Sequence, residues 1–182
     1  MTVAAAAWTG QLATAPGFSE PVFAALGRNP VFMSAFIAWA IAQVLKVLTA
    51  GWSEGKLSWK MLVSSGGMPS SHSALCMGLT AAVGIYHGVA DTLFPVCVVM
   101  SCIVMYDATG VRQQAGKHAK VLNQLLQEFF TGHPISEGEL KELLGHTPLQ
   151  VFAGALLGVV TAVVHYLVSV PPAVAAVASA VM

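Results

Sequence analysis

Apolar residues run almost unbroken through four stretches of the chain, and polar residues gather between them. The first stretch covers about 30–50 (PVFMSAFIAWAIAQVLKVLTA), the second 73–90, the third 92–106 and the fourth 148–170, where Pro171 and Pro172 stop it. Runs of this length predict helices that cross, or nearly cross, a bilayer. After the third run the periodicity changes. Val121, Leu122, Leu125, Leu126, Phe129 and Phe130 recur at helical spacing, with Lys117, Lys120, Asn123, Gln124 and Gln127 opposite them. That pattern predicts an amphipathic helix lying on the membrane or across the mouth of the bundle as a lid. Beyond the turn TGHP, Ser136 and Glu139 fit a capping box for a short helix, EGELKELL, closed by Gly145. The expected fold is therefore all-α: an integral membrane bundle of about four transmembrane helices, with the lid helix between the third and fourth. Residues 1–29 read as a poorly structured or peripheral extension, 30–170 as the helical domain and 171–182 as a tail.

Composition agrees with a bilayer as the solvent. Charged residues make up 9% of the 182 positions, against about 25% in soluble domains. Hydrophobic residues make up 56% and the mean hydropathy is +0.74. A net charge of zero gives no reason to expect a nucleic-acid partner. Cys76, Cys97 and Cys102 lie in apolar stretches without disulfide or metal spacing, so neither metal nor cofactor is expected. The first 30 residues lack a basic segment followed by a compact apolar core, which argues against a secretory signal. If the spans alternate in direction, Lys46, Lys56, Lys60, Arg112, Lys117, Lys120 and Lys141 share one side and Arg28 takes the other. The positive-inside rule turns the loaded side toward the cytosol, or toward the stroma or matrix of an organelle. Trp39, Trp52 and Trp59 read as interface anchors.

The loaded side also receives the chain's least greasy cluster, SSGGMPSSHSALCMG (64–78), and a second motif, GHTP (145–148). His72 and His146 each stand at the start of an apolar helix. Helix starts carry unpaired N–H groups and partial positive charge, which suits phosphate. Ser70, Ser71 and Ser73 add hydroxyls, and Gly66 and Gly67 permit close approach. Two histidines on one membrane face can form a nucleophile and general-acid pair. One histidine at a helix start is more often structural; the pair, with a basic excess beside it, changes that balance. YDATGVR (106–112) puts Asp107 and Arg112 at the end of the third span. They form either a structural ion pair, or a working set in which Arg112 and Lys117 hold phosphoryl oxygens while Asp107 orients a histidine. Lys141 reads as a solvated partner of Glu137 or Glu142, and His118 and His133 as surface residues. His87 and His165 read as structural. A zinc site from His72, His146 and Asp107 has no supporting ligand spacing.

PSSH resembles the P-S-G-H motif of the type 2 phosphatidic acid phosphatase and vanadium haloperoxidase superfamily. GHTPLQVFAGALLG resembles its last motif. Together GGMPSSHSA, IVMYDATGVR, AGKHAKVLN and LKELLGHTP resemble the divergent acid phosphatase/vanadium-dependent haloperoxidase-related membrane proteins of bacteria and plants, most like plant members. The resemblance covers about residues 30–165. It implies His146 as nucleophile and His72 as the acid that protonates the leaving group. Departures are specific. No Arg-Pro follows a lysine as in the first motif, and only Lys46, Lys56 or Lys60 can replace its lysine. Glu139 and Leu140 occupy the superfamily's Ser-Arg positions. Ser71 replaces a glycine, and Gln150 an aspartate. A glutamine carbonyl can hold the imidazole tautomer but cannot stabilise its charge; in serine proteases the equivalent loss costs about 10⁴ in rate. The set carried forward is His146, His72, Gln150 and Asp107 for chemistry, with Ser70, Ser71, Arg112, Lys117, Lys56 and Lys60 for phosphate. The function implied is hydrolysis of a lipid or isoprenoid phosphate at a plastid, mitochondrial or endomembrane surface, with membrane lipids as partners. The second reading is a non-catalytic membrane protein or complex subunit that retains the anion pocket.

Overall fold

A computed structural model describes residues 21–54, 67–130, 133, 138, 140–142 and 144–170. Six helices occur among them: α1 (Val22–Arg28), α2 (Pro30–Glu54), α3 (Ser71–His87), α4 (Leu93–Thr109), α5 (Val111–Phe129) and α6 (Pro148–Ser169). The fold is all-α, as the apolar runs require. By length and composition α2, α6 and the stretch containing α4 can cross a membrane. With the 17-residue α3 they make a bundle of about four.

Three of the helices, α2, α3 and α6, start at a side-chain cap. Asn29 Oδ1 accepts from the backbone N–H of Val31 and Phe32, both at 3.0 Å, and Pro30 leads α2. Ser70 caps α3 by accepting from Ser73 N, and Gly88, at φ 85°, ends it. Thr147 and Gln150 form a full capping box on α6, with Pro148 at its first position. Gly110 separates α4 from α5.

Helix α3 is the centre of the bundle, packed against α6, α2 and α4. Its seam with α6 needs glycine. A Cβ on Gly154 would lie 2.2 Å from the Ser70 carbonyl oxygen, and one on Gly158 would lie 2.4 Å from that of Ala74. Such backbone contact is how membrane helices gain packing without a hydrophobic drive between them. Between α3 and α4, Thr80 and Ser101 share a 2.8 Å hydrogen bond. At the other end of the bundle, Ser34 Oγ bonds the Pro30 carbonyl and His165 Nδ1, both at 2.8 Å, so His165 is structural as expected. The outer faces stay apolar and exposed, for example Phe36, Val99, Ile103 and Phe152, as lipid contact allows.

The amphipathic helix is present as α5, and its faces decide how it lies. Gly116, Ala119 and Asn123 are buried. Val121, Leu122, Leu125 and Phe129 are exposed. The apolar stripe thus turns outward, which suits a helix on a membrane surface. The short helix EGELKELL is a correction. Residues 138, 140–142 and 144 are not helical, and Ser136 and Glu139 lie outside the described residues. The reason is tertiary: Asn123 of α5 accepts from Leu140 N–H and donates to Leu140 O, both at 2.9 Å. It thereby engages the backbone groups that a helix would use. Trp39 is also corrected. It lies about 14 Å from the start of α2, near the middle of that helix's apolar stretch, and stacks in a stripe with Phe36 and Phe32. Trp59, the Trp52 side chain, residues 1–20 and the tail from 171 lie outside the described residues.

Candidate phosphate site

Two helix starts meet at one point. Ser70 N–H donates to the Gln150 carbonyl oxygen at 3.0 Å, joining the first turn of α3 to that of α6. The close approach of Gly154 to Ser70 makes this contact possible. His72 lies in the first turn of α3, exposed on the loaded side. His146 lies two residues before α6 and is only 4% exposed.

His146 is held from both sides. Its backbone N–H donates to the Ala108 carbonyl oxygen at the end of α4, at 2.9 Å. Its carbonyl oxygen accepts from Gln113 Nε2 of α5 at 3.4 Å. Gly145 precedes it at φ 85°, where a Cβ would lie 2.4 Å from Gln113 N; only glycine fits both the conformation and the space. The ring is oriented by Gln150, whose Oε1 is 3.2 Å from Nδ1. The same Oε1 accepts from Thr147 N–H at 3.0 Å, which identifies it as the amide oxygen. An oxygen can only accept, so Nδ1 carries the proton and Nε2 carries the lone pair. Nε2 is buried and has no hydrogen-bond partner among the described residues. Burial holds this imidazole below its ordinary value of 6.5; the Gln150 hydrogen bond opposes that, and the nearby charges of Lys46, His72 and Arg112 lower it further. The shift favours the neutral imidazole.

Lys46 is fully buried, and its Nζ donates to Ser71 Oγ at 3.0 Å. It sits five residues before Gly51, where the apolar stretch of α2 ends. The sequence offered three lysines for one role. Lys56 and Lys60 lie outside the described residues, while Lys46 stands at the site. A lysine inside an apolar span is expensive, which is the signal that could have singled it out. Ser70 Oγ accepts from Ser73 N and Ser73 Oγ, so it serves first as the helix cap. Ser71 Oγ accepts from Lys46 and keeps its own hydrogen to donate.

Asp107 pairs with Arg112, not with a histidine. The pair is half open to solvent, with Arg112 51% exposed, and the guanidinium is close enough for His146 to feel its charge. Lys117 is exposed on α5. Five residues along a helix is about 140° of rotation, so it faces away from Arg112. Lys141, His118 and His133 are also exposed. No group of three metal-ligating side chains occurs among the described residues. Asn123 and Gln113 were not singled out in the sequence. Each acts across 17 or more positions through backbone contacts, which no local spacing reveals.

The arrangement joins a neutral imidazole lone pair, a buried ammonium, a neighbouring guanidinium, a second imidazole and two helix starts. It is suited to an oxyanion with a phosphorus centre. Comparison with known proteins agrees in kind. The profile of the Divergent PAP2 family matches residues 27–161. The chain is 39% identical over 147 residues to the uncharacterized membrane protein YuiD of Bacillus subtilis (strain 168), covering 75% of this chain and 93% of that one. No solved structure matches it.

Proposed function

The chain belongs to the divergent PAP2 family of phosphatase-related membrane proteins, and we propose that it hydrolyses a lipid or isoprenoid phosphate through a histidine nucleophile. His146 Nε2 attacks phosphorus in line with the ester oxygen. The P–O bond breaks, and the leaving alkoxide takes a proton from His72. Water, activated by the now neutral His72, then splits the N–P bond, releasing orthophosphate and restoring His146. Lys46, Arg112 and the first-turn N–H groups of α3 hold the phosphoryl oxygens. Gln150 Oε1 keeps the Nδ1 proton in place throughout. The observation that carries this reading is the His146 ring, with one nitrogen fixed on Gln150 and the other buried without a partner among the described residues, within reach of the Lys46 charge. The basic face that bears the site faces the cytosol or its equivalent.

A second reading is favoured by two features: Gln150 is uncharged, and Arg112 is already paired with Asp107. On that reading the chain binds a phosphorylated lipid without cleaving it, as a subunit of a larger membrane complex. The deciding experiment is phosphate release by the purified protein across a panel of lipid and isoprenoid phosphates. Turnover above that of a folded His146→Ala control supports hydrolysis. None, with both proteins folded, supports the binding role.

A further inference from the structure

An apolar groove of about 400 Å³ runs along the outside of the bundle between α2 and α6. Leu45, Thr49, Met68, Pro69, Leu156 and Val160 line it. Its position is set by the site, because its walls are the site's neighbours in sequence. Leu45 precedes Lys46, Pro69 precedes the cap residue Ser70, and lining residue Ala153 precedes Gly154, which packs on Ser70. Along α6 the lining runs from Ala153 to Val160, seven residues and about 10 Å. Thr49, the one polar residue of the lining among the described residues, has its hydroxyl bonded to the Met68 carbonyl oxygen at 2.5 Å. Among the described residues the lining thus offers nothing to a headgroup, while Lys46, bonded to Ser71, stands next in sequence to Leu45 of the lining. At ~30 Å³ per group, about a water's share, its volume takes roughly a dozen methylenes: one chain, not two.

We propose that this groove holds a single hydrocarbon chain of a phosphorylated lipid while its phosphate lies at Lys46 and His146. The occupant is the substrate or ligand of the site already described, and the proposal rests on that site binding phosphate rather than on hydrolysis. The groove fixes which lipids fit: those with one chain able to leave the bilayer interior and lie along α6, such as a lysophosphatidate or a prenyl phosphate. The headgroup is then delivered from the side, without passing through water.

The test is photolabelling in phosphatidylcholine vesicles. The probe is a lysophosphatidate with a diazirine midway along its chain, and its comparison is the monoacylglycerol with the same chain. The expected result is labelling within residues 149–160 that is several-fold stronger for the phosphate probe and is reduced by inorganic phosphate or vanadate. Leu156, 55% exposed, can be enlarged without entering the core. Leu156→Trp should cut the labelling about tenfold, as about two displaced methylenes would. Leu167→Trp, on the same helix near its other end, should leave it unchanged. Equal labelling by both probes would mean that only bulk lipid covers the groove, and would overturn the proposal; so would phosphate-dependent labelling confined to other helices. Headgroup-dependent labelling without any phosphate release would leave this inference standing and remove hydrolysis.

Discussion

The two histidines rest on mounts of different construction. His72 belongs to α3, which meets α6 backbone to backbone along Gly154 and Gly158 inside the bundle. His146 belongs to a segment laid against α5, where Asn123 bonds Leu140 in both directions and donates to Glu142 Oε1 at 2.9 Å. Glycine serves both, since a Cβ on Gly116 would lie 2.5 Å from the Glu142 carbonyl oxygen. The adhesive differs. The first seam is van der Waals contact in a place water does not reach; the second is an amide hydrogen-bond set near an exposed surface. A packed seam fails as a whole when one atom is added. A hydrogen-bonded seam loosens locally when one partner is removed.

The largest effect should come from adding one methyl group to the packed seam. Gly154→Ala places a carbon on the Ser70 carbonyl, so α3 and α6 must separate and the Ser70–Gln150 bond must break. A loss of about 3 kcal/mol is expected, read as a large fall in the thermal midpoint in detergent. A shift no larger than that of Gly27→Ala, at a glycine with open space around it, would mean that the seam is not tight. Asn123→Ala should cost less, about 1–3 kcal/mol, and locally. Amide exchange should accelerate at 140–145 and at His146 while the centre of α3 stays protected. Uniform acceleration would erase the distinction between the two mounts.

Gln150 joins the mounts and separates its tasks by substitution. Gln150→Leu removes the capping box, at about 1 kcal/mol, and frees the His146 tautomer. Gln150→Glu keeps an acceptor for Thr147 N–H and adds an anion beside the ring, so the His146 pKa should rise. A two-dimensional NMR titration of the imidazole reads both; an unmoved His146 in Gln150→Glu would break the assignment of Oε1 to the ring. If the protein hydrolyses lipid phosphates, Gln150→Glu should keep or raise turnover and Gln150→Leu should abolish it.

The dependence of stability on pH follows from His146 with a definite sign. Its folded pKa lies below 6.5, so the unfolded chain binds the proton first as pH falls. Stability is full above about 6.5 and declines from there down through the folded value. The thermal midpoint of the wild type should therefore fall more between pH 7 and pH 5 than that of His146→Gln. Parallel curves would assign the decline to other groups. The smallest effect concerns charge: Arg112→Ala should weaken vanadate binding a few-fold more than Lys117→Ala, because a guanidinium near the site forms directed bonds and a lysine across the helix contributes only a screened field. Equal losses would point to the field alone.

What could be read from the chain was what is local in it. The apolar runs gave α2, α4 and α6 nearly in full, and PSSH and GHTP marked two helix starts. His146 and Gln150 are one helical turn apart, and Asp107 and Arg112 five residues apart, so their contacts lay within reach of spacing arguments. Lys46 and Ser71 are 25 positions apart, and their meeting depends on how α2 leans on α3. The capping box at Ser136 misled for a related reason. Helix propensity near Leu140 is local, and Asn123 reaches that backbone from another helix and overrides it. The outward turn of α5 likewise depends on Gly116 and Ala119 being small enough to bury, a matter of fit that periodicity does not express.

The depth of Lys46 has an electrical consequence. Five residues inside the end of the apolar stretch is about 8 Å, or roughly a quarter of a hydrocarbon core ~30 Å thick. Moving one elementary charge across a whole membrane is worth ~2.3 kcal/mol per 100 mV. An anion that settles beside Lys46 therefore crosses at most about a quarter of the voltage, or ~0.6 kcal/mol per charge per 100 mV, less where water follows it in. On the proposed function, the occupancy of this pocket would depend partly on the transmembrane voltage, and an energised membrane and a depolarised one would load it differently.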